Sequence, residues 1–235
     1  MVPMAQKIKT SANMASSWEL LHQSARIAWR NYDAIGWFFL IPGLLVYLGK
    51  NYWGTLEDTG KALKFTPGSH ETLGLILLCA GYLITLINFV PSLTFRLDAI
   101  DRTKAAPILS YYRHSPTTYL KVWLAAIAST AMYSLGLVCL IIPGLLILPR
   151  VIFSPYVALD NPDAGLGGIL HKTNLTSKPF PVTILATYGV IFLIGNVPML
   201  LLGYNYLSVI FFMLISYLTM FMPALRYSEI KSVRL

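Results

Sequence analysis

The sequence predicts an all-α fold: a polytopic membrane helix bundle of about six transmembrane helices in three hairpins, with short interfacial amphipathic helices. Composition is the first observation behind this fold class. Of the 235 residues, 56% are hydrophobic and 12% are charged, whereas ordinary soluble domains carry about 25% charged residues. The second observation is that the hydrophobic residues are collected into runs long enough to cross a hydrocarbon core about 30 Å thick.

The longest apolar run extends from Trp123 to Leu159 and contains a single charged residue, Arg150. A straight helix of this length would measure roughly 55 Å, because each residue adds about 1.5 Å. That is nearly twice the thickness of the hydrocarbon core, about 30 Å, so the run must turn back within the membrane. We place the turn at Pro143-Gly144, because proline breaks the helical hydrogen-bond ladder and glycine supplies backbone freedom.

Six apolar segments are predicted to enter or cross the membrane. They are Ala34–Leu48, Thr72–Phe95, Val122–Ile142, Leu145–Leu159, Val182–Leu202 and Tyr206–Leu225. Four of them have about the 20 residues that a crossing helix needs. The segments Ala34–Leu48 and Leu145–Leu159 are shorter, and the sequence leaves open whether each spans fully or is re-entrant.

Both short segments contain the fragment Ile-Pro-Gly-Leu-Leu, at residues 41–45 and 142–146. Paired interruptions of this kind point to a transporter binding site. They are equally explained as ordinary kinks, because proline and glycine are frequent in membrane helices. The residues expected to act as structural hinges are Pro42, Gly43, Pro143, Gly144, Pro149 and Pro155.

Lysine and arginine are distributed unevenly over the loops. With the N-terminus inside, 14 of the 18 lie on the cytoplasmic side, Arg150 lies within the membrane, and Lys50, Lys61 and Lys64 lie outside. Because cytoplasmic loops carry an excess of these residues, we predict that both termini are cytoplasmic. The predicted organisation is a cytoplasmic N-terminus with an amphipathic interfacial helix (residues 1–33), a six-span membrane domain (34–226) and a cytoplasmic tail (227–235).

Two surface helices have recognisable start signals. Ser16 and Glu19 form a capping box that opens a helix ending near Arg30. Asn161 followed by Pro162 predicts the start of a second helix, since asparagine is a favoured N-cap and proline is favoured at the first helical position. We expect both helices to lie at the membrane interface, with their cations near anionic headgroups.

One stretch of the chain resembles a known family. It comprises Ile141-Ile142-Pro143-Gly144-Leu145, Pro149-Arg150-Val151-Ile152-Phe153, Ala158-Leu159-Asp160 and Gly168-Ile169-Leu170-His171-Lys172-Thr173. This pattern resembles bacterial six-span proteins related to the membrane domain of glycerophosphodiester phosphodiesterases. The resemblance implies the six-span fold and a bacterial membrane. The phosphodiesterase barrel of some relatives is absent from this sequence, so hydrolase activity is not implied, and Gly165–Gly168 departs from the pattern.

Three polar residues inside the apolar segments are candidates for an intramembrane ligand site: Arg150, Asn88 and Asn196. A cation within a span usually faces a partner or a wet cavity. Arg150 is therefore either a contact for an anionic ligand or lipid headgroup, or a structural residue that bonds to carbonyls freed by Pro149 and Pro155. Asn88 and Asn196 are expected to hydrogen-bond between helices.

No catalytic residue, metal site or cofactor site is predicted, because His22, His70, His114 and His171 lack metal-ligand spacing. The leading interpretation is a non-enzymatic integral protein of the bacterial cytoplasmic (inner) membrane, acting as a scaffold, partner or envelope-lipid-related factor. The alternative is a small oligomeric transporter or channel-like subunit with Arg150 near its path. A membrane-embedded lipid enzyme would need an acid/base pair that the sequence lacks.

Expected partners follow from the same features. They are membrane lipids, through anionic headgroups at the cytoplasmic face, and other membrane proteins or further copies of this chain. Nucleic acid is not expected, because the net charge of +8 follows the membrane topology and forms no basic stripe.

Overall fold

The computed structural model describes residues 14–57, 70–102, 106–139, 141–202 and 214–234. Within these ranges every regular element is helical. The α-helices are α1 (Ser17–Arg30), α2 (Tyr32–Ile35), α3 (Ile41–Glu57), α4 (His70–Asp101), α5 (Pro116–Cys139), α6 (Ile141–Val151), α7 (Ser154–Asp160), α8 (Leu166–Ser177), α9 (Pro181–Leu202) and α10 (Met222–Arg234). A π-helical turn covers Gly36–Leu40, a 3-10 helix covers Ile108–Tyr112, and residues 214–219 are helical.

Among the described residues, three helical stretches are long and apolar enough to cross a membrane: Tyr32–Lys50, Thr72–Asp101 and Pro116–Val138. A fourth is obtained if α8 and α9, which meet at a bend of 95°, count as one broken span. Only 22–28% of each of the three apolar windows is buried inside the protein. Their remaining side chains form an exposed apolar surface of the kind that lipid covers.

The first apolar segment is a continuous helical stretch from Tyr32 to Glu57, longer than the sequence indicated. The π-helical turn ends at Leu40, two residues before Pro42, and contains Phe38, four residues before it. Pro42 has no N–H, and in a regular helix its ring collides with the carbonyl four residues earlier. The wider turn removes this conflict without ending the helix. Pro42 and Gly43, predicted as hinges, therefore lie inside an uninterrupted stretch.

The segment Leu145–Leu159, predicted as one span, is two helices. α6 ends at Val151 and α7 begins at Ser154. Pro155 explains the break, because it cannot donate to the carbonyl of Val151, and proline is well tolerated in the first turn of α7. Residues 154–158, which make up most of α7, are buried in protein.

The chain reverses slightly earlier than predicted. α5 ends at Cys139 and α6 begins at Ile141, so Pro143-Gly144 lies in the first turn of α6. Proline is compatible with this position, since the first N–H groups of a helix have no partner inside it. Pro149 also lies within α6, near its end.

Close glycine contacts hold two antiparallel helix pairs together. A Cβ added to Gly144 would lie 2.8 Å from the backbone nitrogen of Leu137, and one added to Gly136 would lie 2.9 Å from the Cα of Gly144. In the pair formed by α3 and α4, Gly49 and Gly81 have the same role. Backbones can approach this closely only where the side chain is absent.

The buried core lies at one end of the bundle. It contains the start of α5, the end of α4, α7, the start of α9 and α10. Because α4 and α5 follow each other in opposite directions, these segments meet at one end. Towards the other end, side chains such as Leu83 on α4 and Leu135 on α5 are exposed. The protein therefore has a packed end and an apolar, exposed end.

Helix α1 belongs to the packed end. Its capping box is confirmed, with the Ser16 hydroxyl accepting from the N–H of Glu19 and the Glu19 carboxylate accepting from the N–H of Ser16. Trp18 and Trp29 are exposed, as an interfacial helix requires. A second face, which includes Leu20 and Ser24, is buried against the rest of the protein and was not anticipated.

The last predicted span and the predicted C-terminal tail both differ from the structure. Residues 206–213 of the predicted span Tyr206–Leu225 lie outside the described residues, and the described remainder breaks at Met220-Phe221, before α10. The Ser24 hydroxyl occupies this break, accepting from the N–H of Phe221 at 3.2 Å and donating to the carbonyl of Leu218 at 2.5 Å. Residues 227–234, expected to form a tail, belong to α10.

The two Ile-Pro-Gly-Leu-Leu fragments provide a matched test of the glycine contacts. Gly144→Ala should lower the free energy of unfolding by about 1–3 kcal/mol, because the new Cβ overlaps Leu137. Gly43→Ala should be neutral or stabilising by up to about 1 kcal/mol, because nothing lies within 4 Å of the added Cβ. Thermal unfolding in detergent measures both, and equal effects at the two glycines would contradict the packing described.

Candidate functional site

The three candidate residues predicted from the sequence do not form one site. Asn88 lies on α4, where its side chain meets the Trp37 carbonyl and the Tyr112 hydroxyl. Asn196 lies on α9 and lines an apolar cavity, and its amide donates to the carbonyl of Phe192 in the same helix, not to another helix as predicted. Arg150 is exposed on the last turn of α6, lines neither this cavity nor the one beside Asn88, and has no hydrogen-bond or ion-pair partner among the described residues.

Asn88 has a structural position. Its side-chain amide donates to the carbonyl of Trp37 at 3.4 Å, and its oxygen accepts from the hydroxyl of Tyr112. The indole N–H of Trp37 donates in turn to the Tyr112 hydroxyl at 2.9 Å. This closed triad joins α4, the π-helical turn and the 3-10 helix, so the prediction that Asn88 hydrogen-bonds between elements is confirmed.

A polar pocket of about 360 Å³ lies at the packed end, between α7, α8 and α10. We call it the lysine-rimmed pocket. It is lined by Val157, Asp160, Asn161, Lys172, Leu175, Thr176, Tyr227 and Lys231. Its polar groups come from α7, α8 and the turn between them, and from α10, which lies far from these elements in sequence and is brought to them by the packed end.

Hydrogen bonds fix the groups of the lysine-rimmed pocket. Oδ2 of Asp160 accepts from the Tyr227 hydroxyl at 2.5 Å and from Nζ of Lys231 at 2.7 Å. Across the pocket, Nζ of Lys172 donates to Oδ1 of Asn161 at 2.6 Å. The amide nitrogen of Asn161 donates back to the carbonyl of Val157 at 2.9 Å. The side chain of Asn161 is therefore occupied within the pocket.

This bonding explains why α8 does not begin where we predicted. The N-cap of α8 is Gly165, so the prediction of a helix starting at Asn161-Pro162 was wrong. An N-cap side chain must accept from the next turn of its own helix. The oxygen of Asn161 accepts from Lys172 instead, and residues 161–165 form a turn that closes one side of the pocket.

The lysine-rimmed pocket has an excess of positive charge among its lining residues. Two cations, Lys172 and Lys231, face the single carboxylate of Asp160. Burial, followed by the hydrogen bond to Asp160 and its charge, raises the pKa of Tyr227. Tyr227 therefore remains a neutral hydrogen-bond donor, and the pocket suits a small anionic group.

Arg226 directly precedes Tyr227 of the pocket in α10, and it is fully buried. Its Nη1 donates to Oε2 of Glu229 at 2.7 Å, its Nη2 to the carbonyl of Ala15 at 2.9 Å, and its Nε to the hydroxyl of Thr187 at 2.9 Å. The N–H of Ala15 also donates to Oε1 of Glu229. We call this set of four residues the arginine clasp. It joins the segment before α1 to α9 and α10.

The sequence did not single out the residues of these two sites. Arg226 was counted only as a cytoplasmic cation following an apolar run. One available signal was Glu229, which follows Arg226 by three residues. In a helix, two opposite charges with this spacing lie on the same face and can pair. Asp160 entered only through the resemblance, as an acidic turn.

Over the part of the chain that the structure describes, the fold defines a class: an all-helical protein with three or four apolar helices suited to a membrane and a packed end that carries a cation-rimmed pocket. Comparisons of the chain with protein-family models, with curated proteins and with solved structures found no match. The resemblance to bacterial six-span proteins related to the glycerophosphodiester phosphodiesterase membrane domain therefore stays a prediction based on the quoted residues.

The arginine clasp predicts a large effect of a single substitution. Arg226→Leu should lower the free energy of unfolding by about 3–5 kcal/mol, because it leaves the Glu229 carboxylate without its buried cation. Arg102→Leu is the matched control: this exposed arginine pairs with Asp98, and its loss should cost at most about 1 kcal/mol. Denaturant unfolding in micelles compares them, and similar losses for both variants would refute the structural role of Arg226.

Proposed function

We propose that this chain is a non-enzymatic, multi-pass protein of the bacterial cytoplasmic membrane. It has six spans and cytoplasmic termini, and it acts as a scaffold or envelope-lipid factor by holding an anionic lipid headgroup in the lysine-rimmed pocket. The observation that carries the proposal is the position of this cation-rich pocket at the packed end of helices whose other end is apolar and exposed.

The membrane location is supported by the exposed apolar surface. Ile76 and Leu83 on α4, and Ile127 and Leu135 on α5, are each more than half exposed. They recur along helices that are long enough to cross a hydrocarbon core of about 30 Å. In water such a surface would drive aggregation, whereas in lipid it has no cost.

The orientation is supported by the charges of the packed end. Lys121, Lys172, Lys178 and Lys231 all belong to helices or turns at this end. Positively charged loops remain in the cytoplasm. The packed end, with the lysine-rimmed pocket, therefore faces the cytoplasmic leaflet, where anionic lipids are found.

Binding is favoured over catalysis by the state of Asp160. Its carboxylate already accepts from Tyr227 and pairs with Lys231. A general base must be able to reach and take up a proton from its substrate, and the Oδ2 atom of Asp160 is already occupied by these two donors. Lys172 and Lys231 are both partly exposed and can turn towards a phosphate group without disrupting the core.

The proposal is tested by the response of thermal stability to lipid. Phosphatidylglycerol should raise the Tm of the wild-type protein more than phosphatidylcholine does. In the double variant Lys172→Gln/Lys231→Gln this difference should shrink by about 2–4 °C per lysine, since each cation near an anionic surface contributes about 1 kcal/mol.

A matched control separates the pocket from general surface charge. Arg30→Gln/Lys178→Gln removes two exposed cations of the packed end that do not line the pocket. This variant should lose less of the response to phosphatidylglycerol than Lys172→Gln/Lys231→Gln does, because its two cations meet headgroups only at the open surface and do not line the pocket. If all three proteins respond equally, the lysine-rimmed pocket does not bind the headgroup.

A further inference from the structure

A second cavity, of about 560 Å³, lies between α5, α6, α9 and the helical residues 214–219. We call it the lateral cavity. Its apolar walls are Leu145 and Leu148 from α6, Leu185, Ile191 and Phe192 from α9, and Ile215. The volume falls within the range of about 300–1,000 Å³ that is typical of small-molecule sites. The interior of a protein is normally filled to crystal-like density, so a space of this size within a helix bundle is large enough to receive a ligand.

The chemistry of the lining excludes an ionic occupant. None of the described residues that line the cavity is a lysine, arginine, histidine, aspartate or glutamate. The amide nitrogen of Asn196 donates to the carbonyl of Phe192 at 2.8 Å, and the hydroxyl of Thr219 donates to the carbonyl of Ile215 at 2.9 Å. These two donors are satisfied within their own helices, and the hydroxyls of Tyr133, Tyr188 and Ser216 are the other polar side-chain groups among the described lining residues. The rest of the lining is apolar, so the cavity favours a largely apolar ligand.

The lateral cavity is continuous with the lipid-facing surface. Phe192 is 66% exposed and Leu145 is 43% exposed, and both line the cavity as well as the outside of the bundle. A chain from the surrounding bilayer can therefore enter sideways, between α6 and α9. Water has no advantage in an apolar cavity of this kind, and hydrocarbon fills it favourably.

Gly189 lies in the α9 wall of the cavity, where it has no side chain to fill the space. A Cβ added there would meet no heavy atom within 4 Å, in contrast to the glycines that pack helix against helix. The absence of a side chain at Gly189 therefore serves no helix contact among the described residues. Its effect is to widen the cavity.

We infer that the lateral cavity holds one acyl chain of a membrane phospholipid. The inference rests on the proposed membrane location and deepens the proposed lipid role. It adds a site for the hydrocarbon part of a lipid, formed by different residues from those of the lysine-rimmed pocket. The cavity selects for the chain and is indifferent to the headgroup.

Photo-crosslinking tests the inference directly. The full-length protein is reconstituted in vesicles that contain phosphatidylcholine with a diazirine halfway along one acyl chain, and the labelled residues are identified by mass spectrometry. In the wild type, Leu148 and Leu185 should be labelled at least as strongly as the lipid-facing Leu83. In Gly189→Leu, which fills the cavity, labelling at Leu148 and Leu185 should fall several-fold while Leu83 is unchanged.

Gly43→Leu is the matched control, because Gly43 is also a helical glycine with nothing within 4 Å but does not line the cavity. It should be labelled like the wild type. Leu148→Trp fills the cavity from the α6 wall and replaces Gly189→Leu if that variant does not fold. Unlabelled Leu148 and Leu185 in the wild type, unchanged labelling in the filled variants, or crosslinks between two protein copies through this cavity would each overturn the inference.

The zwitterionic probe keeps this test separate from the headgroup proposal. Lys172→Gln/Lys231→Gln should lose its response to phosphatidylglycerol and still be labelled in the lateral cavity. A normal phosphatidylglycerol response without cavity labelling would refute only the acyl-chain site. Loss of both, together with equal labelling of every helix, would refute the lipid role as a whole.

Discussion

The packed end of the protein depends on the charge of Arg226, which is buried completely. Removing a guanidinium from water is costly, and here the cost is offset by Glu229, Thr187 and the backbone of Ala15, which together satisfy its charge and its donors. The residues of this arginine clasp come from the N-terminal segment, from α9 and from α10. The clasp therefore fixes how the amphipathic helix α1 meets the bundle, and Ser24 of that helix then satisfies the backbone at the break before α10.

The same helix links the clasp to the site that we propose for the headgroup. Tyr227 follows Arg226 directly, and Lys231 lies about one turn further along α10. Because the clasp holds α10 in place, these two side chains reach Asp160 on α7 with hydrogen-bonding distances. The exposed end has a different organisation: helix pairs held by glycine contacts, with apolar side chains outward and the lateral cavity between α6 and α9. The packed end thus suits a lipid headgroup, and the exposed end suits its acyl chains.

Much of the helix content could be predicted from the sequence, because a long apolar run has few alternatives to a helix in a membrane. The predicted segments Thr72–Phe95 and Val182–Leu202 lie within α4 and α9. The partners of a residue could not be predicted in this way. Gly43 and Gly144 sit in identical fragments, yet one is open and the other touches Leu137, because different neighbours fold back onto them. The burial of the arginines could not be predicted either. Arg150 lies within an apolar run and is exposed, whereas Arg226 follows an apolar run and is buried.

The central claim is that the packed end lies in the cytoplasm and the helices cross the membrane from it. The most direct measurement is cysteine labelling in intact cells, in a background with Cys79→Ser and Cys139→Ser. Thr59→Cys and Gly68→Cys, which lie outside the described residues, should react with a membrane-impermeant maleimide. Ser110→Cys and Ser232→Cys, at the packed end, should react only after the cells are permeabilised. Labelling of Ser110→Cys from outside would contradict the account.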